Sequence, residues 1–351
     1  MTGQILLYGA TGYTGKLIAR TANDLAQPLI LAGRNKAKLQ ALADPLGVPW
    51  RAFDLADPAA LDAGLEDVAV VLLAAGPFSA TARPVSEACL RRRVHYLDIT
   101  GEIDVFEALA ARDAEANQAG VMLLPGVGFD VVPSDCLAAH LKRRLPDAVD
   151  LTLFMKAIAN VSRGTARTAM QQIPAGTRVR RGGRIVTISR PGAGSCDFGQ
   201  GPRPTVQIPW GDVSTAFYST GIPNIDVQSE DVLPLKVATR LPGVVKSLLA
   251  TPLMQHALGL LIDRQPEGPT DHARQSGGCT IVGEARNAGS LRVRTRLRTP
   301  EPYSLTARTA LDIAVRVASG AFKPGFQTPS LVFGPDYVLG FDGVSRDDLN
   351  A

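Results

Sequence analysis

Few folds accommodate the first fifteen residues of this chain. Ile5 to Tyr8 is an apolar run that reads as a strand. Gly9-Ala10-Thr11-Gly12-Tyr13-Thr14-Gly15 follows it directly, and Lys16 to Leu25 then takes up a helical pattern with Leu17, Ile18 and Thr21 on one face. Glycines at 9, 12 and 15 permit a tight turn, close approach of the main chain to a ligand, and close helix–strand packing. Amides at the start of the helix then face an anion, and the anion this turn suits is a dinucleotide pyrophosphate. A plain glycine turn is the competing reading. The position between strand and helix, at the head of a βαβ pattern, favours the dinucleotide.

The pattern that follows supports this. Leu29–Ala32, Trp50–Phe53, Val68–Ala74, Val94–Leu97 and Val121–Leu124 read as strands. They are separated by helices at Lys36–Ala43, Ala59–Gly64, Pro84–Arg93 and Asp104–Ala119. Apolar strands joined by helices predict a doubly wound parallel sheet covered on both faces. Near Pro133 the character changes. A helix runs from Pro133-Ser134-Asp135 to about Leu145, and longer strands follow, such as Asp150–Ala159. Arg180 to Pro204 reads as a hairpin with a long loop. Ile281–Arg286 and Leu291–Arg298 read as an antiparallel hairpin, and Tyr303–Ser319 as a helix. The expected organisation is a Rossmann domain over 1–133 and an α+β substrate or dimerisation domain over 134–322. A final segment, 323–351, is expected to return toward the first domain.

Composition narrows the function. A net charge of +4 over 351 residues, with no zinc finger or basic helix, excludes a dedicated nucleic-acid binder. Cys89, Cys136, Cys196 and Cys279 form no C-x-x-C pair and read as reduced core thiols. His95, His140, His256 and His272 form no paired motif, so no metal is expected. The polar opening and the lack of a bilayer-length apolar run predict a cytoplasmic protein without leader or membrane span.

The second strand ends Leu31-Ala32-Gly33-Arg34-Asn35. An NAD-selective site places a carboxylate here for the ribose 2′-hydroxyl. Arg34 pairs instead with a 2′-phosphate, and Lys36 and Lys38 add charge, so NADP(H) is the expected cofactor. Asp54, after the third strand, fits either the adenine amino group or a helix cap. Ala74-Ala75-Gly76-Pro77-Phe78, after the fourth strand, places small residues where a nicotinamide ribose would lie.

With these residues in view, the chain resembles the saccharopine dehydrogenase-like family of NADP-binding oxidoreductases, in the branch with trans-acting enoyl reductases and saccharopine dehydrogenase-like oxidoreductase. The motifs are GATGYTG at 9–15, AGR at 32–34, AAGPF at 74–78, YLDITGE at 96–102 and PGVGFDVVPSD at 125–135, with weaker ones at 162–169, 282–287 and 324–334. The resemblance implies a second domain like that of glyceraldehyde-3-phosphate dehydrogenase, with the nicotinamide in a cleft lined by two segments. One carries Tyr96, Asp98, Gly101 and Glu102. The other carries Gly126, Gly128, Phe129, Asp130 and Ser134, whose amides are expected to hold the carboxamide or a developing negative charge. A structural role for Asp98 and Glu102, as turn and first-turn carboxylates, fits equally well.

Each of the six tyrosines lacks a lysine four residues on, which argues against ketone reduction by the short-chain mechanism. The expected activity is hydride transfer to an activated C=C (enoyl) or C=N bond of a small or lipid-like substrate, with Tyr96 and Asp130 as candidate proton donors. The alternative is a non-catalytic NADPH-binding sensor. Arg292, Arg294, Arg296 and Arg298 alternate as the wet face of a strand. Segment 237–262 reads as two apolar helices broken at Pro252. It forms domain core or a homodimer contact, or else meets an acyl substrate or a membrane surface.

Overall fold

The computed structural model describes residues 3–157, 161–172, 176–232, 241, 245, 248–249 and 251–349, with main chain only at 171, 172 and 252. The chain divides into two compact units, Met1–Val132 with Pro302–Phe333, and Pro133–Glu301 with Gly334–Ala351.

In the first unit, β1 (Gln4–Tyr8) leads to α1 (Tyr13–Asp24), and β2 (Ile30–Gly33), α2 (Lys36–Leu46), β3 (Trp50–Ala52) and α3 (Pro58–Gly64) follow. Then come β4 (Val68–Leu73), α4 (Phe78–Arg92), β5 (His95–Asp98), α5 (Ile103–Ala110), α6 (Asp113–Ala119) and β6 (Met122–Leu124). All pairings are parallel, in the order β3-β2-β1-β4-β5-β6. The chain moves one way from β1 to β2 and the other way from β1 to β4, so the strand order reverses beside β1. Open α/β sheets bind ligands at the carboxyl ends of the strands at such a point. Near-continuous burial of Ile5–Tyr8, Ile30–Ala32 and Val70–Leu73 explains why these runs lack alternation.

A late segment completes this unit. The helix Pro302–Ala318 packs on α1, β4 and β1, and β15 (Gly325–Phe326) pairs with β6 as a seventh parallel strand. Sequence patterning assigned that helix to the second domain and began the return at 323. The structure begins it at 302 and sends 334–351 back to the second unit. The helix buries Tyr303, Leu305, Leu311, Ile313 and Val317 against the first sheet, and its pattern cannot name the sheet it covers.

The second unit holds α7 (Val132–Arg144) and a mixed sheet of nine strands, β7 to β14 and β16. At its centre β7 (Ala148–Met155) runs parallel to β12 (Asn224–Glu230) and antiparallel to β13 (Gly278–Asn287). Gly283 faces α7, where a Cβ would stand 2.4 Å from Leu141 Cδ1. Segment 177–207 forms two hairpins, β8–β9 (Thr177–Arg181, Arg184–Ile188) and β10–β11 (Ala193–Asp197, Pro202–Gln207), rather than one with a long loop. The arginines of β14 (Arg292–Pro300) are less wet than expected. The last strand, β16 (Ser345–Leu349), lies alongside, and Asp347 accepts from Arg296 at 3.2 Å and Arg298 at 2.5 Å.

The four cysteines are buried and unbridged, and burial pushes each thiol up. Of segment 237–262, most of the first expected helix lies outside the described residues. The second is α10 (Pro252–Asp263), which packs on α8 (Arg163–Gln172). No described helix is long and apolar enough to cross a membrane.

Candidate functional site

The three glycines of the first turn are not equivalent. Gly9 has φ +90°, and a Cβ there would stand 2.7 Å from the Ala74 carbonyl carbon. Its amide and that of Ala10 donate to Ala32 O at 2.9 and 3.2 Å, which ties the turn to β2. At Gly15 a Cβ would fall 2.2 Å from Gly9 O. Both glycines are required by the protein itself. Gly12 differs. It is exposed, its φ is an ordinary −75°, and among the described residues a Cβ would meet only Gly9 O, at 3.4 Å. As the residue before α1 it supplies no side chain to its first turn, and that turn carries no acidic residue. Such a helix start suits an anion.

Around this turn the structure gathers the residues that follow β1 to β4. Thr11 and Thr14 are half-buried, and the Tyr13 ring packs edge-on against Tyr303 at 5.2 Å. Arg34 follows β2 and is exposed. Asn35 caps α2, accepting from Lys38 N at 3.0 Å. Asp54 is exposed after β3. It folds its loop by accepting from Ala56 N at 3.0 Å, while the cap of α3 is Asp57. Arg34 and Asp54 both act on Tyr8, whose hydroxyl donates to Phe53 O at 3.0 Å. Burial first, then Asp54, pushes that phenol up to about 12 against the opposing pull of Arg34.

After β4, Ala75, Gly76 and Pro77 retain accessible surface, whereas Phe78 is buried. Glu102 holds this loop in place. Its carboxylate accepts from Phe78 N at 2.8 Å and Ser79 N at 2.9 Å, and so caps α4 from across the sheet edge. Thr81 Oγ1 donates to Ala75 O at 2.6 Å. Phe78 therefore shapes the loop and has no amide left for a ligand. Of the two roles open to Glu102, the structural one is observed, on α4 rather than on its own helix.

The second lining segment departs further from expectation. Tyr96 and Asp98 are both 0% exposed, and the Tyr96 hydroxyl donates to Asp98 Oδ2 at 2.6 Å. Asp98 Oδ1 accepts from Thr100 N and Gly126 N, each at 2.9 Å, and Asp98 O accepts from Val127 N at 2.8 Å. Burial raises the Asp98 carboxyl to about 6 despite these donors, and burial then Asp98 raise the phenol further. Tyr96 is thus sealed inside and is no proton donor to a bound molecule. Gly126 and Gly128 are buried too. A Cβ would stand 2.6 Å from Val131 Cγ2 at the first, and 2.9 Å from Thr306 Cγ2 at the second. With Gly126 N and Val127 N given to Asp98, and Phe129 N to Thr306 Oγ1 at 2.9 Å, these amides cannot hold a carboxamide or an oxyanion. Both glycines serve packing, not cofactor contact.

Asp130 keeps the accessibility that Tyr96 lacks. It is densely surrounded yet half-buried rather than sealed, and burial raises its carboxyl to about 6. A Cβ on Gly101 would lie 3.0 Å from Asp130 Oδ2, which explains that glycine. Thr306 and Thr309, the latter donating to Val127 O at 2.9 Å, were not foreseen. Their one sequence signal is threonine at i and i+3 on the buried face of a late helix.

Comparison with known proteins places this geometry. Residues 5–124 match the family model described as the saccharopine dehydrogenase NADP binding domain. Over 149 residues, 40% of this chain, the sequence is 33% identical to a trans-acting enoyl reductase of Mycobacterium ulcerans, of which the match covers 36%. Over 161 residues it is 29% identical to a saccharopine dehydrogenase-like oxidoreductase of Homo sapiens, covering 38% of that protein. The chain thus spans little more than a third of the length of these relatives. The apo histidine-tagged saccharopine dehydrogenase (L-Glu forming) from Saccharomyces cerevisiae shares the fold over 99% of this chain and 100% of that one, with a TM-score of 0.62 at 12% identity.

Proposed function

We propose, from the premise that residues 5–124 belong to the saccharopine dehydrogenase NADP binding domain family, that the protein is an NADPH-dependent reductase of an activated C=C or C=N bond in a small or lipid-like substrate. The observation that carries this is Gly12. Among the described residues its Cβ would touch just Gly9 O, at an ordinary 3.4 Å, at a helix start with no side-chain cap beside the strand reversal. The amides that open α1 would face the pyrophosphate, Arg34 the 2′-phosphate, and the Ala75–Pro77 loop the nicotinamide ribose. Bound there, the cofactor supplies hydride to an electrophilic carbon.

Hydride addition to C=C or C=N leaves an atom that must take a proton. Asp130 is the group we assign to give it. A carboxyl raised to about 6 keeps about a tenth of its protons at neutral pH. Support for the C=C bond comes from the enoyl reductase relatives.

The test is stopped-flow loss of bound reduced-nicotinamide absorbance on adding enoyl thioesters and cyclic imines to the intact protein. Turnover with at least one class is expected. Tight NADPH binding with no turnover across the panel would favour a sensor, and no binding at all would remove the site.

A further inference from the structure

Across residues 121–138, Asp130 is the one residue that is not buried. A carboxylate that emerges alone from a buried segment is aimed by the packing of that segment. Val131 N and Val132 N donate to Gly128 O at 3.2 and 2.9 Å, which closes a turn with Asp130 at its head. On one side the carboxylate lies against main chain, since a Cβ on Gly101 would stand 3.0 Å from Asp130 Oδ2 and 3.4 Å from its Cγ. The direction of the group therefore depends on what fixes the turn from behind.

That support comes from the helix Pro302–Ala318. Thr306 is 8% exposed, and its Oγ1 accepts from Phe129 N, 177 positions away, at 2.9 Å. The same hydroxyl donates to Pro302 O at 2.9 Å, so its one proton points along its own helix and a lone pair is left for Phe129. The Thr306 methyl backs the turn as well, because a Cβ on Gly128 would fall 2.9 Å from Thr306 Cγ2. A buried amide needs an acceptor, and a carbonyl would serve that need. Here the acceptor is a side chain that also fills the space behind Gly128, two residues before Asp130. Tyr303, which shares this face of the helix at i−3, packs edge-on against Tyr13 at the start of α1. One turn of the helix thus touches both the opening of α1 and the Asp130 turn.

We propose that Thr306 is a positioning residue for the reduction: acting on Phe129 N and Gly128, it fixes the direction in which Asp130 presents its carboxyl to the substrate. This rests on Asp130 being the proton donor of the proposed reductase. Thr306 itself touches no reacting atom; it holds the donor in the geometry that proton transfer requires.

The test compares Thr306→Val, which keeps the shape and removes the acceptor, with Thr306→Ser, which keeps the acceptor. Carbon NMR of the intact, ligand-free protein follows the Asp130 carboxyl, assigned by its loss in Asp130→Asn. In wild type it should titrate at about 6. Thr306→Val should move the midpoint down toward the ordinary carboxylate range, because a loosened turn lets water reach the group. Thr306→Ala, where a water can satisfy Phe129 N, should move it the same way, and Thr306→Ser should restore it. With a substrate that wild type reduces, Thr306→Val should lower kcat about 10–100-fold. The midpoint of its pH profile should shift down as well, with KM and NADPH affinity within about twofold of wild type. A wild-type midpoint in folded Thr306→Val or Thr306→Ala would overturn the proposal. So would a Thr306→Ser variant that behaves like Thr306→Val, or a loss of NADPH affinity as large as the loss of rate, which marks general loosening. Wild type that binds NADPH and reduces nothing would sink the reductase assignment instead, and the titration would separately decide whether Thr306 aims Asp130.

Discussion

Within the first turn, one methyl group distinguishes two kinds of glycine. At Gly15 an added Cβ would strike Gly9 O at 2.2 Å, and the clash is with backbone. Gly15→Ala should therefore destabilise the protein by ~1–3 kcal/mol or more, read as a lower denaturation midpoint. At Gly12 the nearest atom is 3.4 Å away, so Gly12→Ala should fold with a loss of about 1 kcal/mol or less while weakening NADPH about tenfold in calorimetry. Wild-type affinity would move the pyrophosphate elsewhere. Arg34→Ala should cost NADPH ~10–100-fold and leave NADH nearly unchanged, since a charge-assisted contact contributes roughly 1.5–3 kcal/mol. Asp130 has a pH signature. Its carboxyl is raised to about 6, so the donating form prevails below that pH, and kcat/KM for reduction should fall as pH rises through about 6. Asp130→Asn should remove both the slope and most of the rate. Asp130 entered only with the family resemblance, but the glycines and Arg34 were legible as positions because each sits at a fixed offset from a strand end. Tyr96 was not, because whether a hydroxyl faces a ligand or Asp98 depends on burial that a local pattern does not encode.

Helix boundaries show the same division. Pro84 marked the expected start of α4, since proline suits a first turn. The helix begins at Phe78 instead, because Glu102 accepts from Phe78 N and Ser79 N. A cap supplied from 23 or 24 positions away leaves no trace beside the helix it starts. Glu102→Ala would leave those two amides without their acceptor and should cost ~1–3 kcal/mol in urea unfolding. Because the same contact fixes the Ala75–Pro77 loop, it should also weaken NADPH binding, and Glu102→Gln should recover part of both losses through its one remaining acceptor. The strands were read closely, because a buried parallel strand is an uninterrupted apolar run wherever it occurs.

At the level of the whole molecule, the first unit needs a segment that arrives 170 residues late. Leu305, Leu311, Ile313 and Val317 are fully or almost fully buried, and burying each contributes ~1.5–3 kcal/mol. Together they rival the roughly 5–15 kcal/mol that stabilises a typical domain. A fragment ending at 133 should therefore fail to show cooperative unfolding by circular dichroism, whereas 1–132 joined by a short linker to 302–333 should show it. The two-domain class was readable from the shift in pattern near Pro133, but the ownership of 302–333 was not, since an amphipathic helix does not declare its partner. The peptide bonds at 132–133, 301–302 and 333–334 all join one unit to the other. A protease that nicks any one of them leaves the halves tethered by the other two. Releasing either unit intact takes a cut at all three.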